Sequence, residues 1–414
     1  MAAERRIIPI SSGKGGVGKT TLALNYALSL SRHDSTLLID LDTGTSSVRN
    51  CIDTPVERDL YHFFKKGHRL SDCITTLDPR LDPSGRFKAF GFIAAPRHLI
   101  EDITNFSPAR RDELIDAING LEARYVVLDL KSGLDANVIE FLPYSNSGIL
   151  VFTPHLPAAT LAASDIVRAI LFRKLRVLFA EGSPVYADLK GIKPGFVGSL
   201  LDRVEDVYDA AVHNLDAFVD DLHHALGDHP VMRLVANAVD SFKVYYVLNR
   251  FNGIKDSYDT AVAPFVESLA ENVSGHMSVL NLGWIIDNEG IHASNIRRIP
   301  VLLEPETAPS GASPASGPMA ELDRLASAHL PRRPQRKLKA GRALATSSSP
   351  YLDAQLDTLR LMYDDLKGTG YRENFRYITS RSLYVMKSAR TSDFGDTRIF
   401  KSSELPRALH LRGR

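Results

Sequence analysis

The stretch Gly13-Lys-Gly-Gly-Val-Gly-Lys-Thr-Thr21 decides the fold of this chain and most of its predicted chemistry. It fits the P-loop pattern G-x-x-x-x-G-K-[ST], whose fixed positions fall on Gly13, Gly18, Lys19 and Thr20. An apolar run precedes the loop, and a run of good helix formers follows it. A glycine loop between a strand and a helix offers backbone N–H groups and the helix dipole to phosphate oxygens. We therefore predict a nucleotide-binding loop rather than an ordinary glycine-rich turn.

The residue types in this loop assign its chemistry. Lys19 is expected to contact the β- and γ-phosphates, and the hydroxyl of Thr20 is expected to bind Mg²⁺. The nucleotide contacts are predicted to extend along the rest of the loop, at Gly13, Lys14, Gly15, Gly16, Val17, Gly18 and Thr21.

The composition of the chain bounds its class. With 414 residues, 44% of them hydrophobic and 24% charged, it can bury a large core, in one large domain with additions or in a few domains. No apolar run approaches the ~20 residues that span a bilayer, and the start of the chain is too short in its apolar part for a secretory signal. Cys51 and Cys73 lack a C-x-x-C spacing, so neither a disulfide framework nor a zinc site is expected. These features predict a cytoplasmic protein.

The formal net charge of +1 hides an asymmetry between the two ends of the chain. Residues 331–414 contain 18 Lys and Arg against 8 Asp and Glu, a net charge of +10, so residues 1–330 carry a net charge of −9. An acidic body with a basic tail favours contact between the tail and an anionic surface, either DNA or a membrane. A solvated tail that only aids solubility explains the same charge pattern equally well.

Apolar segments that alternate with helix-like segments predict the fold class. Most are continuous apolar runs, which is typical of strands buried on both faces of a parallel sheet. The alternation predicts an α/β fold with a doubly wound, mostly parallel sheet, which carries the P-loop after its first strand and binds ligands at the carboxyl ends of its strands. The predicted strands lie near Ile7–Ser11, Thr36–Asp40, Phe90–Ala94, Tyr125–Leu130, Gly148–Thr153, Val244–Asn249 and Leu280–Ile285.

Residues 181–240 interrupt this alternation, and we interpret them as a helical insertion packed on the main domain. Apolar side chains recur there at steps of three and four, which indicates one face of a long amphipathic helix. They are Val207, Ala211, Leu215, Phe218, Leu222 and Leu226. The segment also contains histidines without a recognised ligand spacing, so surface histidines are favoured over a metal site.

The sequence changes in character after residue 303, where the predicted P-loop ATPase domain (residues 1–303) ends. Residues 304–350 are rich in Pro, Ala, Ser and Gly, contain a basic run, and are predicted to form a linker. Residues 351–414 are predicted to form a small basic C-terminal extension that begins with a helix over Tyr351–Lys367. The apolar seam and acidic polar face of that helix favour docking or dimerisation over binding to a membrane surface.

Lys14, directly after the first glycine, narrows the assignment. The string from Gly13 to Thr21 resembles the deviant Walker A motif of the MinD/ParA family of ATPases, and the resemblance extends over residues 6–303 without the insertion. The string Asp129-Leu-Lys-Ser-Gly133 is most similar to the MinD and FlhG/FleN (flagellar number regulator) branch. The resemblance implies a Mg²⁺-dependent ATP hydrolase that forms an ATP-dependent homodimer. It also implies that Lys14 reaches the nucleotide of the partner subunit, as an arginine finger does.

The resemblance further implies roles for residues at the strand ends. Asp42 matches the residue that orients the attacking water, so the implied catalytic set is Lys14, Lys19 and Asp42. Asp40 and Asp129 match carboxylates beside Mg²⁺, so the implied metal site comprises Thr20, Asp40 and Asp129. Two further nucleotide contacts are implied. The backbone amide of Gly133 would sense the γ-phosphate, and the side chain of Asn249 would bind adenine.

Three functions remain open at this point. The first is an ATP-driven dimerisation switch for spatial positioning, at a cell pole, a flagellum or a division site, whose hydrolysis a regulatory protein partner stimulates. The second is a ParA-like DNA-partition ATPase, whose basic tail binds phosphates and whose DNA binding weakens steeply with salt. The third is an iron–sulfur carrier of the Mrp type, which shares this P-loop but needs paired cysteines that Cys51 and Cys73 do not supply. The first two place the protein in the cytoplasm, with peripheral association with a membrane or nucleoid.

Overall fold

The structure, a computed structural model, describes residues 4–43, 47–98, 103, 105–188, 195–205, 214–305, 349–387 and 394–412. Within these residues one eight-stranded sheet forms, from β1 (Arg6–Ser11), β2 (Thr36–Leu41), β3 (Thr75–Thr76), β4 (Phe90–Ile93), β5 (Tyr125–Leu130), β6 (Asn146–Phe152), β7 (Lys243–Phe251) and β8 (Ser278–Ile286). The strand order is β3-β4-β2-β5-β1-β6-β7-β8, and every neighbouring pair is parallel except β3–β4. The predicted doubly wound, mostly parallel α/β fold is therefore confirmed.

Helices connect the strands and cover the sheet. They are α1 (Lys19–Ser31), α2 (Ser47–Cys51), α3 (Leu60–Lys66), α4 (Pro108–Asn119), α5 (Ala136–Ile139), α6 (Pro157–Leu178), α7 (Pro184–Asp188), α8 (Phe196–Glu205), α9 (Leu215–Leu226), α10 (Pro230–Asp240), α11 (Ile254–Ser257), α12 (Ala263–Asn272), α13 (Glu289–Arg297), α14 (Ser349–Leu366), α15 (Tyr371–Lys387) and α16 (Leu405–Arg412). Short turns of other helix types span Leu70–Cys73 and Tyr258–Val262. Every residue of β2 and β5 is buried, as the continuous apolar runs in the sequence predict.

The C-terminal helices pack onto the same sheet. α15 packs against β8 and α1, and its Arg381, which is 1% exposed, donates from Nε to the carbonyl oxygen of Asn281 at 2.7 Å. Gly283 in β8 has φ +141°, and a Cβ atom there would lie 2.7 Å from Cγ1 of Ile378. The apolar seam predicted for residues 351–367 lies in α14, where Leu352, Leu359 and Leu366 are buried within the chain itself.

Residues 394–402, here called the strap, cross the amino end of β1. The backbone N–H of Ile7 donates to the carbonyl oxygen of Asp396 at 2.8 Å. The Asn119 side chain and the Ile399 backbone bond each other twice, at 2.9 and 3.0 Å. The strap therefore lies at the amino ends of the strands, whereas the P-loop lies at their carboxyl ends.

The insertion is helical, as predicted, but its amphipathic face is not one continuous helix. Asn214 is extended (φ −150°, ψ 178°), and its side chain accepts from the amides of Asp216 and Ala217. α9 therefore starts at Leu215, because an asparagine that bonds the first free amides ends the preceding segment and caps the next helix. Residues 206–213, with the first part of the predicted face, lie outside the described residues, as do residues 306–348 with the basic run of the linker. Among the described helices, none has the length and apolar character needed to cross a membrane.

Candidate nucleotide-binding site

The P-loop runs from the carboxyl end of β1 to the start of α1. Gly16 and Gly18 have φ values of +77° and +84°, which favour glycine strongly. A Cβ atom on Gly18 would lie 2.1 Å from Nδ2 of Asn249, so the close approach of β7 also requires glycine there. The start of a helix leaves backbone N–H groups without intrahelical partners. The loop therefore has the geometry of an anion-binding site.

The two lysines of the P-loop differ in their exposure to solvent. Gly13 is buried against α6, where a Cβ atom would lie 2.4 Å from Ala162. Lys14, Gly15 and Gly16 are exposed, whereas Lys19 is only 6% exposed. The structure therefore turns Lys14 outward, toward solvent, and Lys19 inward.

Lys19 points into a buried cluster of carboxylates at the carboxyl ends of the central strands. Its Nζ lies 2.6 Å from Oδ1 of Asp129, the residue before the last one of β5. Asp40 is the register partner of Asp129 on the neighbouring strand β2, and both carboxylates are fully buried. Two adjacent buried carboxylates on paired strands repel each other, and Lys19 is the cation that offsets this repulsion.

The environment of Asp40 is consistent with a surplus of negative charge. Burial, and next the charge of Asp129, raise the pKa of Asp40 to about 7. Its two oxygens accept from the amides of Asp42 at 3.1 Å and Val48 at 2.9 Å, and the bond from Val48 together with Lys19 limits the rise in pKa. Val48 lies in α2, so this short helix is tied to the carboxylate cluster.

The other predicted residues lie around this cluster. Thr20 and Thr21 are half-buried at the start of α1, and Asp42 is half-buried directly after β2. Gly133 has φ +93°, and its amide donates to the carbonyl oxygen of Ser12 at 2.8 Å. Asn249 donates from Nδ2 to the carbonyl oxygen of Val17 at 2.7 Å. The structure thus brings the predicted residues together around the P-loop and places Asn249 against the loop itself.

The donor set beside Lys19 fits a hard cation. Mg²⁺ prefers oxygen ligands and takes only one or two carboxylates from a protein, with water and phosphate oxygens completing its shell. Asp40 and Asp129 supply two carboxylates, and Thr20 supplies a hydroxyl at the first turn of α1. A divalent cation would also relieve the repulsion that raises the pKa of Asp40.

Three residues that contact this site were missed from the sequence. The hydroxyl of Ser47 lies 3.5 Å from Oδ2 of Asp129. Asn295 donates from Nδ2 to the hydroxyl of Thr21 at 3.1 Å, and Arg298 binds the carbonyl oxygens at the end of α2. Each joins segments that are distant in sequence, and a lone Ser, Asn or Arg in a loop carries no periodic or motif signal that would have revealed it.

Comparisons with known proteins show which proteins this chain resembles. Residues 5–170 match the family described as an AAA domain. The chloroplastic septum site-determining protein minD homolog of Arabidopsis thaliana is 30% identical over 170 residues, which are 40% of this chain and 50% of that protein. The flagellum site-determining protein YlxH of Helicobacter pylori is 26% identical over 159 residues, which are 37% of this chain and 50% of that protein.

A solved structure aligns with a larger share of the chain. The septum site-determining protein MinD of Pyrococcus horikoshii, in complex with Mg-ADP, is 18% identical with a TM-score of 0.44, over 73% of this chain and 90% of that chain. The chain spans about half the length of the first curated relatives that it matches. The family match includes the P-loop, Asp40, Asp42 and Asp129, whereas Asn249 lies beyond it.

Proposed function

We propose that this relative of the MinD/ParA family of P-loop ATPases hydrolyses ATP with Mg²⁺ and forms a homodimer when ATP is bound. The relationship that the sequence predicts is confirmed by the matches above. The observation that carries the proposal is the buried group of Lys19, Asp129 and Asp40 beside the start of α1. A site with buried charges of this kind is stabilised by binding a ligand of complementary charge.

We assign the following roles to the residues of the site. Lys19 donates to Asp129 in the structure, and we assign the same ammonium group to the phosphate oxygens of ATP. Asp129 and Asp40 would hold Mg²⁺ together with the hydroxyl of Thr20, and the metal would neutralise charge on the phosphates. Asp42, half-buried beside them, is the residue that we assign to orienting the attacking water.

The switch itself is assigned to Gly133 and Lys14. The amide of Gly133 reaches a γ-phosphate only after it leaves the carbonyl oxygen of Ser12, so we expect the loop after β5 to move. Exposed leucines lie beside this loop and beside the contact of α6 with the P-loop: Leu134 is 45% exposed and Leu161 is 51% exposed. Exposed apolar side chains near the exposed Lys14 support an ATP-dependent dimer interface at the carboxyl ends of the strands.

The dimer is tested with Asp42→Ala and Lys14→Ala. Asp42→Ala removes water positioning but no phosphate contact, so it should bind ATP, stop turnover and accumulate as a dimer in light scattering. Lys14→Ala should keep the ATP affinity of the monomer and lose dimerisation or hydrolysis. Mixing the two variants should restore some hydrolysis, because one site of the mixed dimer keeps Asp42 and receives Lys14 from the other subunit. If Asp42→Ala remained monomeric in the presence of ATP, the switch model would be wrong.

The cellular role that we propose is spatial positioning, at a division site or at a flagellum or cell pole. The support is the names of the relatives, which are septum and flagellum site-determining proteins. We expect slow hydrolysis in the isolated protein and stimulation by a protein partner. Sedimentation of ATP-loaded and ADP-loaded protein with anionic liposomes and with DNA separates this role from DNA partition, whose binding must fall steeply with salt.

A further inference from the structure

Glu304 lies at the junction between the ATPase domain and the C-terminal helices. The side chain is buried, and three side chains from two helices contact its carboxylate. Arg297 of α13 forms an ion pair with it, the hydroxyl of Tyr371 donates to Oε2 at 3.3 Å, and Nη2 of Arg372 lies 3.5 Å from the same oxygen. Charge-assisted bonds to a buried carboxylate fix geometry more firmly than exposed ion pairs do.

The start of α15 is fixed closely against α13 at this junction. A Cβ atom on Gly290, in α13, would lie 2.8 Å from the hydroxyl of Tyr371. Arg372 donates from Nη2 to the carbonyl oxygen of Pro305 at 2.9 Å, and Asn374 accepts from the amide of Ile286 at the end of β8. The position of α13 therefore depends on the position of the C-terminal helix.

The segment that begins in α13 contacts the last residue of the P-loop. The Asn295 side chain donates to the hydroxyl of Thr21 at 3.1 Å. The amide of Leu302 donates to Oδ1 of Asn25 at 3.1 Å, and Nδ2 of Asn25 donates to the carbonyl oxygen of Thr21 at 2.9 Å. Both the side chain and the backbone of Thr21 are therefore positioned by this segment.

The same segment also contacts α2. Nη2 of Arg298 donates to the carbonyl oxygens of Arg49 and Ile52, at 3.1 Å each. The carbonyl oxygen of Arg298 accepts from the amide of Asp53 at 2.8 Å, and Arg298 has φ +58°, a left-handed conformation that is strained for this residue. Since the amide of Val48 at the other end of α2 binds Asp40, this contact reaches the carboxylate cluster.

We propose that Glu304 is a positioning residue of the nucleotide site, which couples the C-terminal helix α15 through α13 to Thr21 and α2. This coupling concerns the same nucleotide site, and only its kinetic test rests on the proposed function. Its physical basis is a continuous path of ion pairs and hydrogen bonds, in which the carboxylate of Glu304 joins Arg297 of α13 to Tyr371 and Arg372 of α15. Small displacements of groups that bind a substrate produce large changes in affinity.

The test compares Glu304→Gln and Arg372→Ala with a matched control, Arg360→Ala. Arg360 pairs with Asp357 on the surface of α14, so its loss removes an arginine from the C-terminal helices without touching the junction. Glu304→Gln and Arg372→Ala should raise KM for ATP about three- to tenfold, and more than they lower kcat, whereas Arg360→Ala should match wild type. Asn295→Ala should raise KM similarly, and the double variant Glu304→Gln with Asn295→Ala should add little to either single change.

A second readout needs no ATP. Cys51 is half-buried at the end of α2 that Arg298 holds, whereas Cys73 is buried in another part of the chain. Maleimide labelling followed by mass spectrometry of the two cysteine peptides should rise several-fold at Cys51 in Glu304→Gln, with Cys73 unchanged.

Equal increases at both cysteines would mean general loosening and would overturn the coupling. An unchanged KM in Glu304→Gln, with wild type active, would also overturn it. Absence of ATP turnover in wild type would refute the proposed function, while the labelling ratio would still decide the coupling.

Discussion

The two ends of strand β1 differ in how their polar groups are matched. At the carboxyl end, two fully buried carboxylates, Asp40 and Asp129, share the charge of Lys19, and the pKa of Asp40 is raised. At the amino end, the strap pairs with β1 and α4 through complementary contacts, such as the double hydrogen bond between Asn119 and Ile399. One end is left with more negative charge than its partners offset, whereas at the other end Asn119 and the Ile399 backbone match each other's polar groups.

This difference separates a binding site from a structural contact. Buried charge without sufficient compensation destabilises the ligand-free protein, and it persists where a ligand restores the balance. Satisfied backbone and amide groups stabilise the fold and leave nothing for a ligand to bind. The comparison therefore predicts that changes at the carboxyl end act mainly on nucleotide binding, and that changes at the amino end act on stability.

The largest effect is expected at Lys19. Lys19→Ala removes the buried cation that we assign to the phosphates, and charge-assisted contacts contribute about 1.5–3 kcal/mol each. Calorimetry should therefore detect a loss of ATP affinity on the order of a hundredfold or more. Lys14→Ala is the matched control, because it removes a lysine from the same loop that is exposed, and its monomer affinity should stay near that of wild type.

Folding must be separated from binding in that experiment. Lys19→Ala leaves Asp129 buried without its 2.6 Å partner, and loss of one member of a buried pair destabilises by about 3–5 kcal/mol. The double variant Lys19→Ala with Asp129→Asn removes both charges, so it should regain stability while it still fails to bind ATP. Unchanged ATP affinity in either Lys19 variant would contradict the assignment of the P-loop.

The carboxyl end was predictable from the sequence because its residues follow strand and loop patterns. The P-loop has a fixed spacing, and Asp40 and Asp129 follow continuous apolar runs whose register brings them side by side. The amino end was not predictable. Residues 394–402 lack periodicity, and their contacts with Ile7 and Asn119 join segments that are distant in sequence, which no local pattern encodes.

At the amino end, Asn119→Ala should lower stability without changing ATP affinity. It removes both hydrogen bonds to Ile399, whose backbone N–H and carbonyl group then lose their partner, at about 1–3 kcal/mol. Urea unfolding measures this loss, and calorimetry checks that ATP affinity is retained. Lys401→Ala, which removes an ion pair with Asp116 at the end of the strap, is the control and should shift the unfolding midpoint much less, because both partners are solvent-accessible. A weakened ATP affinity in Asn119→Ala would break the separation between the two ends.

A smaller effect at the carboxyl end concerns pH. The pKa of Asp40 is raised to about 7 in the folded protein, mainly by burial and next by Asp129. Between the unfolded pKa and about 7, the folded state therefore binds more protons than the unfolded state, so its stability falls as the pH rises through this window. Asp40→Asn cannot ionise, so its stability relative to ligand-free wild type should increase from about pH 5 to about pH 8, by about 2–3 kcal/mol.

The change with pH, rather than the absolute stability, is the quantity to measure. The asparagine amide offers one acceptor where the carboxylate of Asp40 accepts from two amides, those of Asp42 and Val48, so the substitution loses a hydrogen bond at every pH. That loss cancels when thermal unfolding of the two proteins is compared across pH. With Mg²⁺ and ATP, wild type should recover its stability at about pH 8, because a bound cation offsets the two carboxylates, whereas Asp40→Asn should gain much less. Parallel stability curves for both proteins without ligand would mean that Asp40 carries no excess charge, and the contrast between the two ends of β1 would then rest on Lys19 alone.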